Sequence, residues 1–298
     1  MDDRGPDQSH RTDLLAGDTG MGAVTLRVAD LDAMTTYYRD AVTLSVLSQD
    51  SQRSVLGRLG TPIVILENAL ELRHASARQA GLFHTAILFD TPGDLAAAVY
   101  GVATRYPHSF TGSADHLVSR AFYFDDPEDN GIELYTDRDR TQWSWTHGQV
   151  EMASLALDPN TFLRDHLAET GLATASTRPA KVGHVHLSVG DTATAKHFYA
   201  DQLGFEVTQH LGSQAVFVSA GGYHHHMAMN TWNSRGAGRR QQTLGLGLVR
   251  IEVPTADDLG ALDERLDHFQ VERRDDGRVL GFEDPWANRI EVAVKPSA

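Results

Sequence analysis

The 298-residue chain contains no cysteine. This absence excludes disulfides, thiolate nucleophiles, thiolate zinc sites and cysteine-ligated iron–sulfur clusters. Any tightly bound metal ion must therefore be held by His, Asp or Glu side chains. Since the chain has 15 histidines, their placement carries most of the functional argument.

Basic residues and long apolar runs are also scarce. Lys and Arg total 26 against 40 Asp and Glu, which gives a formal charge of -14. Binding to nucleic acid needs a basic surface, so we expect no such partner. No apolar run approaches the ~18 residues of a membrane helix, and the polar N-terminus lacks the apolar segment of a secretory signal. We therefore expect a cytoplasmic protein without a membrane partner.

The chain repeats one pattern, a strand, a helix and three further strands, four times. Residues 21–28 and 182–189 alternate apolar and polar positions and lead into helical patterns. A second pair of first strands, 83–89 and 248–253, belongs to units that end in the same Asp-Pro-x-x-Asn-x-Ile-Glu motif, a turn signal that leads into a final strand. Units one to four cover roughly residues 21–68, 80–137, 180–232 and 243–295.

These units define two halves, 21–137 and 180–298, joined by a linker over 138–179. Trp143 and Trp145 predict that the linker packs on the sheets, because large aromatic rings are unfavourable in water. The Asp158-Pro159 pair predicts a helix that runs to residue 170. Residues 1–20 are expected to form a disordered tail, as chain termini often do.

Four such units, with His on first strands, resemble the vicinal oxygen chelate superfamily. That superfamily includes glyoxalase I, fosfomycin-resistance proteins and extradiol ring-cleaving dioxygenases, and the chain is most similar to the two-half, catechol 2,3-dioxygenase-like group. The resemblance implies an α+β fold in which four βαβββ modules form two cupped mixed sheets. The residues that carry it are Gly-Leu-Phe-His at 81–84, Asp-His-Leu-Val-Ser at 115–119, Gly-Ile-Glu-Leu-Tyr at 131–135, Gly-His-Val-His-Leu at 183–187 and Ser-Ala-Gly-Gly-Tyr-His-His-His at 219–226.

The superfamily also implies a metal site built from a His on each of two first strands and a Glu on a last strand. Two imidazoles and one carboxylate suit Fe(II) and leave positions open for substrate and O2. At the first-strand position, units one to four hold Ala23, His84, His184 and Leu248. At the last-strand position, units two and four hold Glu133 and Glu291.

The ligand set is complete in only one pairing of the units. Within either half, one ligand is missing. Units two and three together supply His84, Glu133 and His184. We therefore expect modules two and three to pair across the halves around one Fe(II), with Mn(II) as the alternative. Modules one and four would form a metal-free cup, in which Glu291 is structural.

The same resemblance assigns catalytic roles to three side chains. His224, His225 and His226 are expected on the last strand of unit three, and His225 is matched to the acid–base His of extradiol enzymes. Strand alternation leaves His224 and His226, on the opposite face, as the other choice. His116 is matched to a second His that donates to substrate or bound oxygen. Tyr123 is matched to the Tyr that holds the substrate hydroxylate.

Four further residues receive other interpretations. His108 is interpreted as structural, and so is His186, although its period-2 spacing from His184 would allow it to support the metal ligands. Tyr223 and Trp232 are either walls of the site or core aromatic residues.

The function implied is an Fe(II)-dependent extradiol dioxygenase that cleaves a small aromatic diol with O2. As in many relatives, the protein is expected to be a homo-oligomer, either a dimer or a tetramer. A glyoxalase-like isomerase or lyase that uses Ni(II) or Zn(II) is one alternative, although such sites tend to carry two Glu. A metal-free binding or resistance protein is the other. A fosfomycin-type transferase is disfavoured, since those chains are half as long.

Overall fold

The computed structural model describes residues 14–170 and 178–296, and within them two nine-stranded sheets dominate. Unit one and its N-terminal extension contain β1 (Gly20–Met21), β2 (Val24–Val28), α1 (Leu31–Thr36), β3 (Ser45–Gln49), β4 (Arg53–Arg58) and β5 (Thr61–Asn68). Unit two contains β6 (Gly81–Phe89), α2 (Pro92–Arg105), β7 (Phe110–Asp115), β8 (Ser119–Asp125) and β9 (Gly131–Asp137). The linker contains β10 (Trp145–Thr146), β11 (Gln149–Val150), β12 (Leu155–Ala156) and α3 (Pro159–Thr170).

The second half repeats the arrangement of the first. Unit three contains β13 (Ala180–Ser188), α4 (Thr192–Lys196), β14 (Glu206–Leu211), β15 (Ala215–Ser219) and β16 (Met227–Asn230). Unit four contains β17 (Gly245–Val253), α5 (Ala256–His268), β18 (Arg273–Asp275), β19 (Val279–Glu283) and β20 (Arg289–Val294). In units one and three the helix continues as a π-helical segment, Tyr37–Ala41 and His197–Gln202 respectively.

Each unit's helix starts at a side chain that caps it. Asp30 and Asp191 each accept a hydrogen bond from the backbone N–H three residues on, and Thr91 and Thr255 do the same in the other two units. Such caps satisfy backbone donors that have no partner within a helix, so the chain turns from strand to helix at the same point of every unit.

The units pair across the halves, as predicted. First strands β6 and β13 of units two and three run antiparallel at the centre of one sheet, and β2 and β17 of units one and four do so in the other. The sheet of units two and three, called the site sheet below, has the order β12-β7-β8-β9-β6-β13-β16-β15-β14. The second sheet has the order β18-β19-β20-β17-β2-β5-β4-β3, with β1 beside β17.

Units that are consecutive in the chain contact each other through helices and turns instead. The Tyr38 hydroxyl donates to Asp126 Oδ2 (3.0 Å), and Tyr199 donates to Asp284 Oδ2 (2.9 Å) in the other half. Between α2 and the π-helical segment, a Cβ at Gly101 would lie 2.4 Å from the Ala41 carbonyl oxygen. Glycine is therefore required where the helices of units one and two meet.

The linker and the N-terminus differ in part from expectation. Trp143 is buried, but Trp145 is 43% exposed, so only the first of these rings packs as predicted. The helix α3 begins at the predicted Asp158-Pro159 pair. Gly20 and Met21 pair with β17, which disagrees with a disordered tail as far as residue 20, whereas residues 1–13 lie outside the described part. Among the described residues, no helix is long and apolar enough to cross a membrane.

Candidate active site

The predicted ligands lie side by side on three adjacent strands at the centre of the site sheet. Ala86 of β6 is in register with Glu133 of the parallel strand β9 and with His184 of the antiparallel strand β13. His84, two residues before Ala86, therefore points to the same face of the sheet. Cross-strand neighbours are about 4.8 Å apart, so the pairing of the units brings the three side chains within reach of one ion.

The distances within this group are short. Nε2 of His84 and Nε2 of His184 each lie 3.0 Å from Glu133 Oε2. One ligand atom from each residue can be chosen so that all lie within 4.8 Å of one another. All three residues are buried.

Their protonation states suit a metal ion. Burial opposes ionisation of Glu133, but His184 and His84 hold its pKa well below the usual range. Burial lowers the pKa of His184 to about 4, although Glu133 opposes this shift. At neutral pH the group is therefore a carboxylate beside a neutral His184 imidazole, and these are the forms that bind metals.

An unpartnered nitrogen provides a test of whether a metal fits. His84 Nε2 is buried and, although it lies 3.0 Å from Glu133 Oε2, makes no well-formed hydrogen bond to any of the described residues. A buried polar atom without a partner is unfavourable by roughly 1–3 kcal/mol. A cation held between the three side chains would give His84 Nε2 a partner, because it would accept the lone pair of that nitrogen. The set of two His and one carboxylate is the one typical of non-haem Fe(II) sites.

A cavity of about 620 Å³ opens over these side chains. His225, His116 and Tyr123 line it together with the three ligands, so the cavity brings together all six residues that the resemblance singled out. Its other lining residues are mainly apolar and include Phe83, Ala114, Val118, Phe124, Ile132, Met152, Leu211, Phe217 and Trp232.

His116 and Tyr123 form a pair in the cavity wall. His116 Nδ1 lies 2.7 Å from the carbonyl oxygen of Ala153, which can only accept, so Nδ1 carries a proton. In the neutral ring, Nε2 then accepts from the Tyr123 hydroxyl at 2.7 Å. Burial, reinforced by the Glu133 carboxylate, raises the pKa of Tyr123 well above its usual value. Tyr123 therefore stays a donor at neutral pH.

His225 is oriented by a chain of hydrogen bonds. Asp137 Oδ1 lies 3.0 Å from His224 Nε2, and a carboxylate that accepts there requires a proton on Nε2. With its proton on Nε2, His224 accepts at Nδ1 from His225 Nδ1, 2.8 Å away. This arrangement leaves the lone pair of His225 on Nε2. Asp137 also accepts from the Tyr223 hydroxyl at 2.9 Å.

The His-His-His run is not part of a strand, contrary to expectation. β15 ends at Ser219 and β16 begins at Met227, so His224, His225 and His226 lie in the connection between them. Only His225 of the three lines the cavity. His226 Nδ1 accepts from the backbone N–H of Ala220 instead. The connection turns through Gly221 and Gly222, with φ of 61° and 67°, a region that favours glycine.

Other side chains differ from their predicted places. His186, interpreted as structural, lines the cavity opposite His84 in register, with ring centroids 4.9 Å apart. The period-2 spacing between His184 and His186 is the sequence feature that indicates this position. Trp232 lines the cavity, whereas Tyr223 packs in a separate cluster with Trp143. No sequence pattern indicated Asp137. His108 is exposed and does not line the cavity.

Comparison with known proteins identifies the family. A model of the Glyoxalase/Bleomycin resistance protein/Dioxygenase superfamily matches residues 181–292. The chain is also 32% identical over 257 residues to catechol-2,3-dioxygenase of Bacillus subtilis (strain 168), over 84% of this chain and 88% of that protein. The chain belongs to this superfamily. Within this vicinal oxygen chelate superfamily it is catechol 2,3-dioxygenase-like, as predicted.

Solved structures support the same fold for this vicinal oxygen chelate protein. Glyoxalase I from Zea mays superposes with a TM-score of 0.55 at 14% identity, covering 93% of this chain and 92% of that one. The cppA protein from Streptococcus pneumoniae TIGR4 superposes with a TM-score of 0.57 at 13% identity, covering 93% of this chain and 100% of that one. At such identities the likeness concerns the fold alone.

Proposed function

We propose that this protein is a non-haem Fe(II)-dependent extradiol dioxygenase that cleaves a catechol-type diol with O2. One observation carries the proposal: the His84, His184 and Glu133 group faces the same cavity as His225, His116 and Tyr123. The residues that would hold the metal and those that would move protons therefore line a single space. The 32% identity to a catechol-2,3-dioxygenase supports the same reaction.

His84, His184 and Glu133 would hold the metal, Fe(II) or alternatively Mn(II). Bound there, the metal would acidify the diol and supply the redox chemistry that joins the ring to O2. Since His84 and His184 lie on the first strands of different units, neither half holds the ligands without the other. The two halves would need to be assembled before the metal binds.

His225 would take a proton from the diol. Its Nε2 lone pair remains free because Nδ1 donates toward His224. Burial and the neighbouring imidazoles, His184 first among them, lower the pKa of His225 well below its usual value. The ring is therefore neutral at physiological pH and ready to accept.

Tyr123 would hold the deprotonated oxygen of the substrate. Its hydroxyl keeps its proton at neutral pH, and rotation about the C–O bond would turn that proton from His116 to a substrate oxyanion. His116, fixed by the Ala153 carbonyl, would take part by positioning this hydroxyl and by exchanging a proton with it. The apolar walls of the cavity would keep bulk water from the reacting groups.

The test measures metal and reaction together. The protein is purified without oxygen, supplied with iron and analysed by mass spectrometry for bound metal, alongside O2 uptake with catechol and formation of a yellow ring-opened product. The wild type is compared with His184→Ala and with the control His197→Ala, since His197 is exposed and contacts Asp201. We expect iron and activity in the wild type and in the control, and neither in His184→Ala.

Two outcomes would contradict the proposal. Iron retained by His184→Ala would reject the ligand set shared between the halves. Nickel or zinc with no O2 uptake would favour the glyoxalase-like isomerase. The structure gives this alternative less support, because the metal-binding group contains a single carboxylate, Glu133.

A further inference from the structure

The feature that decides substrate charge is the set of described side chains that line the cavity over the candidate metal site. Among the described residues that line it there is neither Lys nor Arg. The carboxylates in the lining belong to Glu133 and Asp125. A substrate carboxylate placed away from the metal would leave water here without a counter-ion, and the Asp125 carboxylate would repel it.

The walls that lead from the cavity mouth to the metal ligands are apolar and aromatic. Trp232, 45% exposed, packs edge-on against Phe83 with ring centroids 5.1 Å apart. Phe83 in turn lies 5.0 Å from His186, which contacts His84. A row of ring faces and edges therefore extends from solvent to the metal ligands. Such a surface binds apolar groups and planar rings.

The wall provided by the linker is also apolar and is fixed in place. Met152 lines the cavity and packs against Phe217. Gln209 Nε2, on β14, donates to the Val150 carbonyl at 2.9 Å and so ties the linker to unit three. β12 pairs with β7 and so ties the linker to unit two. The wall is thus held against both units.

The cavity is larger than an unsubstituted single-ring diol would fill. About 620 Å³ lies within the range of pockets that enclose a drug-sized ligand, whereas a single-ring diol with no substituent would leave much of it empty. The space beyond the metal ligands is bounded by Trp232, Met152, Leu211 and Phe217.

We infer that the site selects diols with an uncharged apolar substituent, alkyl or aryl, and discriminates against diols with a carboxylate side chain. This inference rests on the proposed function and specifies its substrate class. The substituent would lie between the Trp232–Phe83 wall and the Met152 wall. Selectivity would arise both from burial of apolar surface and from exclusion of an unpaired anion.

The test is binding in the absence of O2, measured by calorimetry on the iron-loaded protein. The probes are catechol, 4-propylcatechol and 3-(3,4-dihydroxyphenyl)propanoate, a matched apolar and acidic pair. We expect 4-propylcatechol to bind roughly tenfold to a hundredfold more tightly than catechol, as burial of a small alkyl group allows. The acid should bind more weakly than catechol.

Two cavity variants and a control locate the effect. Met152→Lys adds a cation to the lining and should improve binding of the acid by roughly tenfold relative to 4-propylcatechol. Leu155→Lys is the control, because Leu155 lies three residues away, is 50% exposed and does not line the cavity. Trp232→Ala removes a half-exposed ring without opening the core, and should reduce the preference for the propyl group.

The outcomes separate the two proposals. Tighter binding of the acid than of 4-propylcatechol by the wild type would overturn the inference, as would equal responses of Met152→Lys and Leu155→Lys. If the binding order holds but no diol is cleaved once O2 is admitted, the inference stands and the dioxygenase proposal fails.

Discussion

The two sheets are built from the same modules, yet among the described residues only one of them has a His–Glu–His group that could bind a metal ion. In the site sheet, Glu133 is almost fully buried and faces two imidazoles. In the second sheet the matching Glu291 is 30% exposed and lies 3.8 Å from Arg250, its cross-strand neighbour. In the site sheet, the cross-strand neighbour of Glu133 is Ala86. A small residue in place of an arginine leaves the carboxylate available for an ion.

The second sheet also lacks the imidazoles. Leu248 occupies the position of His84, and Ala23 occupies that of His184. Neither of these positions offers an imidazole, and the matching carboxylate, Glu291, already lies 3.8 Å from Arg250. The comparison shows that the modular fold supplies a shared geometry, whereas a few side chains determine which sheet has a site.

The largest effect is expected when the carboxylate is replaced by an amide at the equivalent position of each sheet, Glu133 in the site sheet and Glu291 in the second sheet. Glu133→Gln should abolish stoichiometric iron binding and activity, because the amide carries no charge and is a poor ligand. A loss of more than about a hundredfold in metal affinity is expected, since even indirect contacts to ligands contribute 10–100-fold. Glu291→Gln should bind iron like the wild type. Metal titrations of both variants check this, and equal losses would reject the assignment of one site.

A second test separates proton transfer from metal binding within the site sheet. His225→Gln should keep its iron but lower kcat by roughly 10²–10⁴, the usual contribution of a general base. The matched control is His226→Gln, because His226 accepts from backbone outside the cavity. Iron content and steady-state kinetics are measured side by side. Loss of iron from His225→Gln, or a similar kinetic loss in the control, would contradict the assignment.

The hydrogen-bonded chain behind His225 should have a smaller effect. In Asp137→Asn the amide can donate to His224 and so favours the opposite tautomer along the chain, which would place a proton on His225 Nε2. We expect kcat to fall by roughly 10–100-fold, with little change in KM. The control Tyr223→Phe removes the other donor to Asp137 and keeps its bond to His224. Equal kinetics in the two variants would reject this positioning role.

Acid should destabilise the site sheet first when no metal is bound. Burial lowers the pKa of His184 to about 4 and that of His226 to about 3, and it lowers the pKa values of His186 and His225 well below their usual range. Below pH ~6.5 these histidines become protonated in the unfolded chain but stay neutral in the folded protein. The free energy of unfolding therefore falls as pH decreases. Each such group contributes up to about 1.4 kcal/mol per pH unit in this window.

Two buried carboxyls act in the opposite direction. Burial raises the pKa of Asp126 to about 6 and also raises that of Asp284, so the folded state gains protons there on acidification. The histidines are more numerous, so we expect a net loss of stability between pH 6.5 and 4. Thermal unfolding of the metal-free protein and hydrogen exchange measure the effect. Earlier loss of protection in β2 and β17 than in β6 and β13 would contradict the prediction.

Much of the site could be predicted from the sequence because strands alternate. Once His84, His184 and Glu133 are placed at equivalent positions of related units, period 2 directs their side chains to one face. The same regularity extends to His186. It fails for His224, His225 and His226, because the two glycines before them turn the chain out of the strand pattern. Which of these rings enters the cavity depends on contacts with Asp137 and Ala220.

The sequence also did not indicate which linker residues contribute to the cavity. Trp143 and Trp145 are alike in composition, but only Trp143 is buried. Met152 and Ala153 carry no chemical signal, yet one lines the cavity and the backbone carbonyl of the other fixes His116. A local sequence pattern does not show which backbone carbonyl or which packing side chain a distant segment will supply to a site.

The sequence by itself determined the four repeats, the absence of thiol chemistry and the single set of residues that matches the ligand pattern of the family. These properties follow from residue identity and from the regular period of strands. Only the tertiary structure decided the cavity, the hydrogen-bond partners of His225 and His116, and the absence of Lys and Arg from the described residues that line the cavity. Such properties depend on distances between segments far apart in the chain, which folding sets through the packing of whole sheets.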